Sequence, residues 1–350
     1  MDNDRISNQE SEDALVELNP RQCILLTIAI PTFNRIECLR LLIDSLGGEL
    51  ERSCIDLTLV EILICDNHSS DGTFQYLKNL SRPEVRVISH DENYGADFNV
   101  RSCFDNAKGR FVWIIGDDDL PMLGSLSPIM RTLMNSNPAL MYLRSQWINE
   151  PLDDFISSKI IADTMEFHNS ANFMKTIGTH LTFLSSMVVN KERFLELSDA
   201  HTLDKYANTN LPHMAWTLPL MNHGDTFVSS KSTFLMARGA NTGGYAVADV
   251  FGVMLTRILK EGLKGDSKIF GMMYINIFAV FLPIWIWRAR FTHSDEFITD
   301  IPWDEMAAEN MDVREYRIFI RPLKFLPKWP ALALVALGRV YGKSKLQEIF

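Results

Sequence analysis

The chain has 350 residues, 47% hydrophobic and 22% charged, which suits one large globular domain or an α/β domain with a smaller appendage. Its net charge of −10 argues against a nucleic-acid partner, because phosphate contacts require a basic surface. Its five cysteines form neither a CxxC pair nor a Cys/His cluster, so no zinc site is expected, and their odd number fits a reducing cytoplasm.

Residues 1–20 carry six acidic residues and one arginine, and we expect a disordered leader there rather than a signal peptide. Beyond them, continuous apolar runs alternate with apolar residues at helical spacing. These patterns predict strands over 23–30, 59–65, 85–88 and 110–115, of which the first is a buried parallel strand and the third is short, and helices over 35–47, 71–80 and 96–107. The first helix is expected to end at Gly47-Gly48. The alternation predicts parallel βαβ units with right-handed crossovers.

A cluster of polar residues follows each predicted strand. The clusters are Pro31-Thr-Phe-Asn-Arg35, Asp66-Asn-His-Ser-Ser-Asp-Gly72, Asp91-Glu-Asn-Tyr-Gly-Ala-Asp97 and Asp117-Asp-Asp119. Parallel sheets bind ligands beyond the carboxyl ends of their strands. We therefore expect the four clusters to meet at one edge of the sheet and to form one site.

The last cluster is a turn of three consecutive carboxylates, Asp117, Asp118 and Asp119, closed by Pro121. Three adjacent acids repel one another unless a cation lies among them. Oxygen ligands suit Mg²⁺ or Mn²⁺, which commonly completes its coordination with substrate phosphates. A solvated acidic turn is the alternative for the tripeptide alone, and the other three clusters favour a metal–diphosphate site.

Four segments resemble the motifs of the inverting family 2 glycosyltransferases, which have the GT-A fold. They are Pro31-Thr-Phe-Asn-Arg35, residues 66–73, Asn93-Tyr-Gly95 and Gly116-Asp-Asp-Asp119. Trp-Ile-Ile-Gly-Asp-Asp-Asp is similar to the abequosyltransferase-like branch, which builds bacterial surface polysaccharides such as O-antigen. The resemblance covers residues 24–125. It implies a GT-A (Rossmann-like), mostly parallel sheet flanked by helices over 21–240. It also implies inverting sugar transfer from a nucleotide-diphosphate sugar with Mg²⁺ or Mn²⁺.

The resemblance also implies individual roles. Asp66 would accept a ring N–H of the nucleobase, although a turn or helix cap is an alternative for which Asp71 is better placed. Asp119 would bind the metal, and Asp117 the ribose or the metal. Because Gly116 and Asn67 stand where the family often has further acids, the choice of carboxylates and the nucleobase stay open. The full set of nucleotide-sugar ligands is Pro31, Thr32, Asn34, Arg35, Asp66, Asn93, Gly95, Arg101, Asp117 and Asp118, with Asn99 nearby.

Transfer to a hydroxyl needs a general base. In the resembled family the base is usually an acid, often in a Glu-Asp pair, and no such pair occurs in 185–225. His213 lies near the expected place and is a competent base at neutral pH, although a histidine before an apolar helix is often structural. Asp199 and Asp204 are the other candidates.

The second half is predicted to contain a strand over 181–189, a helix over 191–197 and a glycine-rich lid, phosphate loop or linker over 237–245. A helical region is expected over 241–350. There, the nineteen residues 269–287 carry no charge, which fits either a helix in the membrane interface or a buried helical subdomain. Residues 314–345 carry eight bases and one acid, which is typical of contact with an anionic surface.

The acceptor implied by the resemblance is a hydroxyl of a glycan or lipid-linked oligosaccharide, which would hold a cytoplasmic enzyme at the inner face of the cell membrane. One alternative is a polyprenyl-phosphate sugar synthase, with the same donor site but a phosphate acceptor. The other is a non-catalytic, membrane-associated protein that binds the nucleotide but has lost the base.

Overall fold

The structure, a computed structural model, describes residues 24–53, 55–148, 165–197, 203–238, 245–263, 267–292 and 300–348. The predicted leader 1–20, the candidate base Asp199 and most of the glycine-rich segment lie outside the described residues.

The described strands are β1 (Leu26–Thr32), β2 (Val60–Asp66), β3 (Val85–Ser89), β4 (Phe111–Ile114), β5 (Leu120–Pro121), β6 (Leu140–Ile148), β7 (Met165–His168), β8 (Met187–Asn190) and β9 (Phe227–Arg238). The helices before β9 are α1 (Ile36–Ser53), α2 (Thr73–Asn79), α3 (Ala96–Asn106), α4 (Leu126–Ser136), α5 (Ser170–Ile177), α6 (Lys191–Glu196) and α7 (Met214–His223). After β9 come α8 (Val247–Asp249), α9 (Leu255–Gly262), α10 (Ser267–Ile275), α11 (Leu282–Phe291), α12 (Trp303–Asn310) and α13 (Lys328–Glu348). Short π-helical segments join α8 to α9 and α10 to α11.

In the described part of the chain these strands form one sheet in the order β3-β2-β1-β4-β8-β6-β9-β5, with β7 against β9. The four strands predicted from the apolar runs, β1 to β4, pair in parallel. β8 is antiparallel to both β4 and β6, so β6 runs in the direction of β4. The carboxyl ends of β1, β2, β4 and β6 therefore share one edge, which confirms the predicted α/β, mostly parallel sheet.

Helices cover both faces of the sheet because its strands are apolar on both sides. One face, which includes Ile28, packs in a cluster with residues of α1 and α4. The other face, which includes Ala29 and Val112, packs with α3, α7 and the helices after β9. Phe278 and Leu282, from the long apolar segment, are fully buried in that second cluster.

Two predictions of local structure were wrong. Helix α1 does not end at Gly47-Gly48 but continues to Ser53. A Cβ at Gly47 would meet the guanidinium of Arg82, so this glycine makes room for a packed side chain. The strand predicted from residue 181 begins only at Met187, because 3-10 turns occupy 178–182 and 184–186. Ser185 holds that irregular stretch by accepting hydrogen bonds from Trp113 Nε1 and from the amide of Gly116.

The segment 269–287 lies in a helical run, Lys268–Phe291, which has the length and hydropathy to cross a membrane. Yet 56% of its most apolar window is buried within the protein, and Pro283 lies at the start of α11, where a proline is tolerated. This packing favours the buried helical subdomain over a helix lying in the membrane interface.

Candidate functional site

Asp66 is the last residue of β2 and lies at the edge where the predicted clusters meet. It pairs with Thr32 of β1 and is 1% exposed. Its Oδ1 accepts the amide of Ser69 at 3.2 Å, whereas its Oδ2 has no hydrogen-bond partner among the described residues. Because buried polar atoms are nearly always paired, an unpaired carboxylate oxygen marks a place where an external donor would bind.

Buried amide side chains hold the strand ends and the loop after β3 in place. Asn99 donates to the carbonyl oxygens of Thr32 (3.3 Å) and Cys65 (3.0 Å), which joins β1 to β2. Asn67 donates to Asn93 Oδ1 at 2.7 Å and to the carbonyl of Gly95 at 3.1 Å. Asn67 therefore positions the loop 93–95, a structural role that the sequence did not indicate.

The loops after β1 and β2 are also tied together. Asn34, which adopts a left-handed φ of 53°, accepts the amide of Ser70 at 2.7 Å. Asp71 accepts the amides of Ile36 and Thr73, so one carboxylate caps both α1 and α2. The alternative role for Asp66, helix capping, is thus filled by Asp71. Gly95 has a φ of 89°, which favours glycine at this position.

Asp117, the first acid of the turn, is buried. Its Oδ2 accepts the Thr32 hydroxyl at 2.7 Å, and its Oδ1 accepts Arg35 Nη1 at 2.9 Å. The same guanidinium nitrogen lies 3.2 Å from Asp118 Oδ2. The first and fourth polar clusters are therefore in direct contact, as the sequence predicted, and Arg35 pairs with the acidic turn rather than with Glu37 or Asp66.

Asp119 is 5% exposed and is anchored from the opposite side. Its Oδ1 accepts the amide of Arg238, the last residue of β9, at 3.1 Å. Ser185 lies beside the same turn, since its hydroxyl accepts the Gly116 amide at 2.9 Å. Neither Ser185 nor Arg238 carried a signal in the sequence, because each reaches the turn from a distant strand or loop.

Burial and mutual repulsion shape the electrostatics of the turn. Burial raises the pKa of Asp119 to about 7, with a further contribution from the Asp118 charge. Burial also raises the pKa of Asp117, although the charge of Arg35 opposes the shift. Burial opposes the charge of Arg35, but Asp117 and Asp118 outweigh it and raise the pKa of the guanidinium. The turn thus favours a bound cation.

Two carboxylate oxygens lie close to the position that a side chain at Gly116 would occupy. A Cβ at this position would lie 3.2 Å from Asp118 Oδ1 and 3.3 Å from Asp119 Oδ2, closer than ordinary van der Waals contact. An aspartate here would therefore crowd the two carboxylates. The described residues contain no group of three or more His, Cys, Asp or Glu side chains arranged to hold a metal. The donor set instead fits a cation held by one or two carboxylates and completed by substrate phosphates.

Arg101 and Asp204 pair with each other. Arg101 also bonds Asp105 one helical turn away, at 3.1 Å, and Asp204 is 70% exposed. The described ion-pair partners of Arg101 are thus carboxylates outside the acidic turn. The structure thus gives Arg101 a partly exposed place on α3 rather than a contact with the acidic turn.

His213 is the residue before α7 and is 4% exposed. Burial lowers its pKa to about 4, and Nε2 has no hydrogen-bond partner among the described residues. The segment leading to it is fixed by Asp97, which accepts the amides of Thr209 (2.9 Å) and Asn210 (3.0 Å). Since Asp97 is in the first turn of α3, near Asn99, this segment approaches the same edge of the sheet.

Comparison with protein families matches residues 27–194 to the family described as glycosyl transferase family 2. The chain is 28% identical over 215 residues to abequosyltransferase RfbV of Salmonella typhimurium, covering 57% of this chain and 62% of that protein. It is 31% identical over 109 residues to the GalNAc(5)-diNAcBac-PP-undecaprenol beta-1,3-glucosyltransferase of Campylobacter jejuni, covering 30% and 33%. Each match spans less than two thirds of the relative.

Solved structures show the same fold. S. aureus TarS in complex with UDP-GlcNAc has a TM-score of 0.57 at 14% identity, covering 93% of this chain and 92% of that one. Mannosyltransferase PcManGT from Pyrobaculum calidifontis, in complex with GDP-Man and Mn²⁺, has a TM-score of 0.50 at 14% identity, covering 91% and 87%. Residues 27–194, just under half of the chain, thus match the family 2 glycosyltransferases, and the arrangement of the sheet is the GT-A fold of these solved structures.

Proposed function

We propose that this protein transfers a sugar from a nucleotide-diphosphate sugar to a hydroxyl of a lipid-linked intermediate of a bacterial surface polysaccharide. The observation that carries the proposal is the unpaired, buried Asp66 Oδ2 at the edge that also holds the acidic turn. A nucleobase ring N–H would complete its hydrogen bonding. The names of the relatives support this reaction class, since one is an abequosyltransferase and another a glucosyltransferase of an undecaprenol-linked substrate.

The order of the strands suggests how the donor lies. The base would contact Asp66 at β2, the ribose would contact Asp117 beside β1, and the diphosphate would reach Asp118 and Asp119 beyond β4. Asp119, with Asp118 or Asp117, would hold Mg²⁺ or Mn²⁺. When bound, the metal neutralises charge on the departing diphosphate. Arg35, already at the turn, would add a second positive charge there.

Transfer with inversion requires the acceptor hydroxyl to attack the anomeric carbon as the nucleoside diphosphate leaves with the bonding electrons. A base must take the hydroxyl proton, and His213, Asp199 and Asp204 stay the candidates. His213 would be neutral at pH 7 because its pKa is about 4, but so low a pKa makes the imidazole a weak proton acceptor, which disfavours it among the three. We expect at least one of the substitutions His213→Gln, Asp199→Asn and Asp204→Asn to abolish transfer. A non-catalytic protein would tolerate all three.

A thermal-shift panel tests the donor site. UDP, GDP, CDP and dTDP are each added with Mn²⁺ or with EDTA to the purified full chain. A ligand at a hundredfold its Kd stabilises a protein by about 2.7 kcal/mol, which is readily measured. Stabilisation by one nucleotide, dependent on Mn²⁺, would support the proposal and select the sugar donors to assay. A folded protein that none of the four stabilises would rule it out.

The proposed membrane location rests on the C-terminal helix. Phe325, Trp329, Leu337 and Val340 are 75%, 73%, 63% and 67% exposed, and the last three lie along one side of α13. Soluble proteins seldom leave such a row of large apolar side chains in water. Exposed bases flank the row, which suits an anionic inner leaflet; they are Lys324, Lys328, Arg339 and Lys343.

A further inference from the structure

An aromatic pair stands beside the acidic turn on the side away from the nucleotide site. Trp147, near the end of β6, is 52% exposed, and its ring centroid lies 4.8 Å from that of Phe183. Phe183 is partly buried against the core, so it forms a firm base for the exposed indole. No role in the donor site described above uses either ring.

Two independent connections fix the pair next to the catalytic edge. Phe183 is two residues from Ser185, whose hydroxyl accepts the Gly116 amide at 2.9 Å. Trp147 pairs in the sheet with Ala237, the neighbour of Arg238, whose amide bonds Asp119 at 3.1 Å. One or two residues span at most about 7 Å of chain, so both rings attach close to the acidic turn.

The order of the strands indicates which part of the proposed site lies near the aromatic pair. The strands run β2, β1, β4, β8, β6 and β9 along this edge, and the acidic turn leads from the end of β4 to β5, which pairs with β9. Trp147 of β6 therefore lies toward the Asp119 end of the turn, on the far side of β4 from Asp66. On the proposed function, the nucleobase occupies the Asp66 end and the diphosphate the acidic turn. The reacting sugar carbon then lies beyond the diphosphate, on the side where Trp147 lies and where the acceptor must arrive.

We propose that Trp147 and Phe183 form the acceptor-binding platform, on which a saccharide ring of the acceptor stacks. Pyranose rings present an apolar C–H face that packs on an aromatic ring, and aromatic side chains with exposed faces are common in ligand sites. The platform orients the acceptor hydroxyl toward the donor carbon and recognises a sugar rather than a phosphate. This inference rests on the proposed function and assigns the acceptor half of the site.

Saturation-transfer NMR tests the platform directly. The full chain, with the stabilising nucleotide and Mn²⁺, is mixed with methyl glycosides of glucose, galactose, mannose, rhamnose and N-acetylglucosamine as probes. We expect saturation to reach the C–H protons of at least one glycoside and to be lost in Trp147→Ala and Phe183→Ala. Trp329→Ala removes another exposed indole, on α13, and should leave the signal unchanged.

Nucleotide binding separates failure of the platform from failure of the donor site. Trp147→Ala should keep the nucleotide-induced thermal shift and the melting temperature of the wild type, with glycoside affinity about tenfold weaker. A glycoside affinity that the substitution leaves unchanged overturns the platform. So does the absence of any glycoside signal in a wild type that binds nucleotide, or a marked fall in Tm that shows the indole to be a packing residue. A wild type that shows no nucleotide-induced thermal shift overturns the proposed function.

Discussion

Replacing Asp66 by asparagine tests the nucleobase contact with minimal change of shape. The asparagine oxygen can still accept the Ser69 amide, which Asp66 Oδ1 accepts at 3.2 Å. The other position changes from an unpaired carboxylate oxygen to an amide that donates. The side-chain amide would then direct a donor at the N–H donor of the base, and the two could not form a hydrogen bond. Because hydrogen bonds to a charged group contribute about 1.5–3 kcal/mol, nucleotide affinity should fall by roughly ten- to a hundredfold.

The same substitution should not destabilise the free protein. A neutral amide costs less to bury than a carboxylate without a full set of partners, so we expect the Tm of Asp66→Asn without ligand to equal or exceed that of the wild type. Titration calorimetry with the nucleotide selected by the thermal panel measures the affinity. Asp44→Asn, at a 73% exposed carboxylate on α1, is the matched control and should bind normally. Unchanged affinity in Asp66→Asn, or a loss of affinity accompanied by a fall in Tm, would refute the reasoning.

Three further predictions concern the metal, the buried histidine and the membrane. Asp119→Asn should abolish the Mn²⁺-dependent part of the nucleotide thermal shift and sugar transfer, because it removes the proposed metal ligand. In the wild type, His213 stays neutral when folded but takes up a proton below pH 6.5 when unfolded, since its folded pKa is about 4. The free energy of unfolding, measured with urea, should therefore decline by about 3 kcal/mol more in the wild type than in His213→Gln as the pH falls from 6.5 to 4. Trp329→Glu with Leu337→Glu should reduce sedimentation with phosphatidylglycerol vesicles by tenfold or more, because each change removes apolar burial and adds repulsion.

Each of these has its own control. An Asp119→Asn protein that transfers sugar at the wild-type rate in Mn²⁺ would remove Asp119 from the metal site. An equal pH dependence of the free energy of unfolding in the wild type and in His213→Gln would show that the imidazole is hydrated in the folded protein. Leu195→Glu adds a single charge on α6 at a 58% exposed apolar position and is compared with Leu337→Glu alone, so vesicle binding equally weakened by the two changes would mean that the face of α13 is not the docking surface.

Local sequence patterns determined the first half of the fold. Strands β1, β2 and β4 are buried on both faces and read as continuous apolar runs, and the polar residues after them could only meet at one edge of a parallel sheet. Asp66, Arg35 and the acidic turn were therefore brought to one site by reasoning from the sequence. The capping of α2 by Asp71 was likewise readable, because Thr73 is close along the chain, whereas the contact of Asp71 with Ile36, 35 residues away, was not.

The tertiary structure alone decided what lies on the other side of the acidic turn. Ser185 and Arg238 reach that turn, and Trp147 lies on a neighbouring strand, only because β8, β6 and β9 follow β4 in the sheet, an order that includes antiparallel and non-sequential neighbours. Periodicity reports whether a residue is buried, not which distant strand will lie beside it. The same limit explains Gly47, which read as a helix end but accommodates Arg82 from another loop. Local motifs thus indicated the proposed donor half of the site, whereas the proposed acceptor half arises from contacts between residues far apart in the chain.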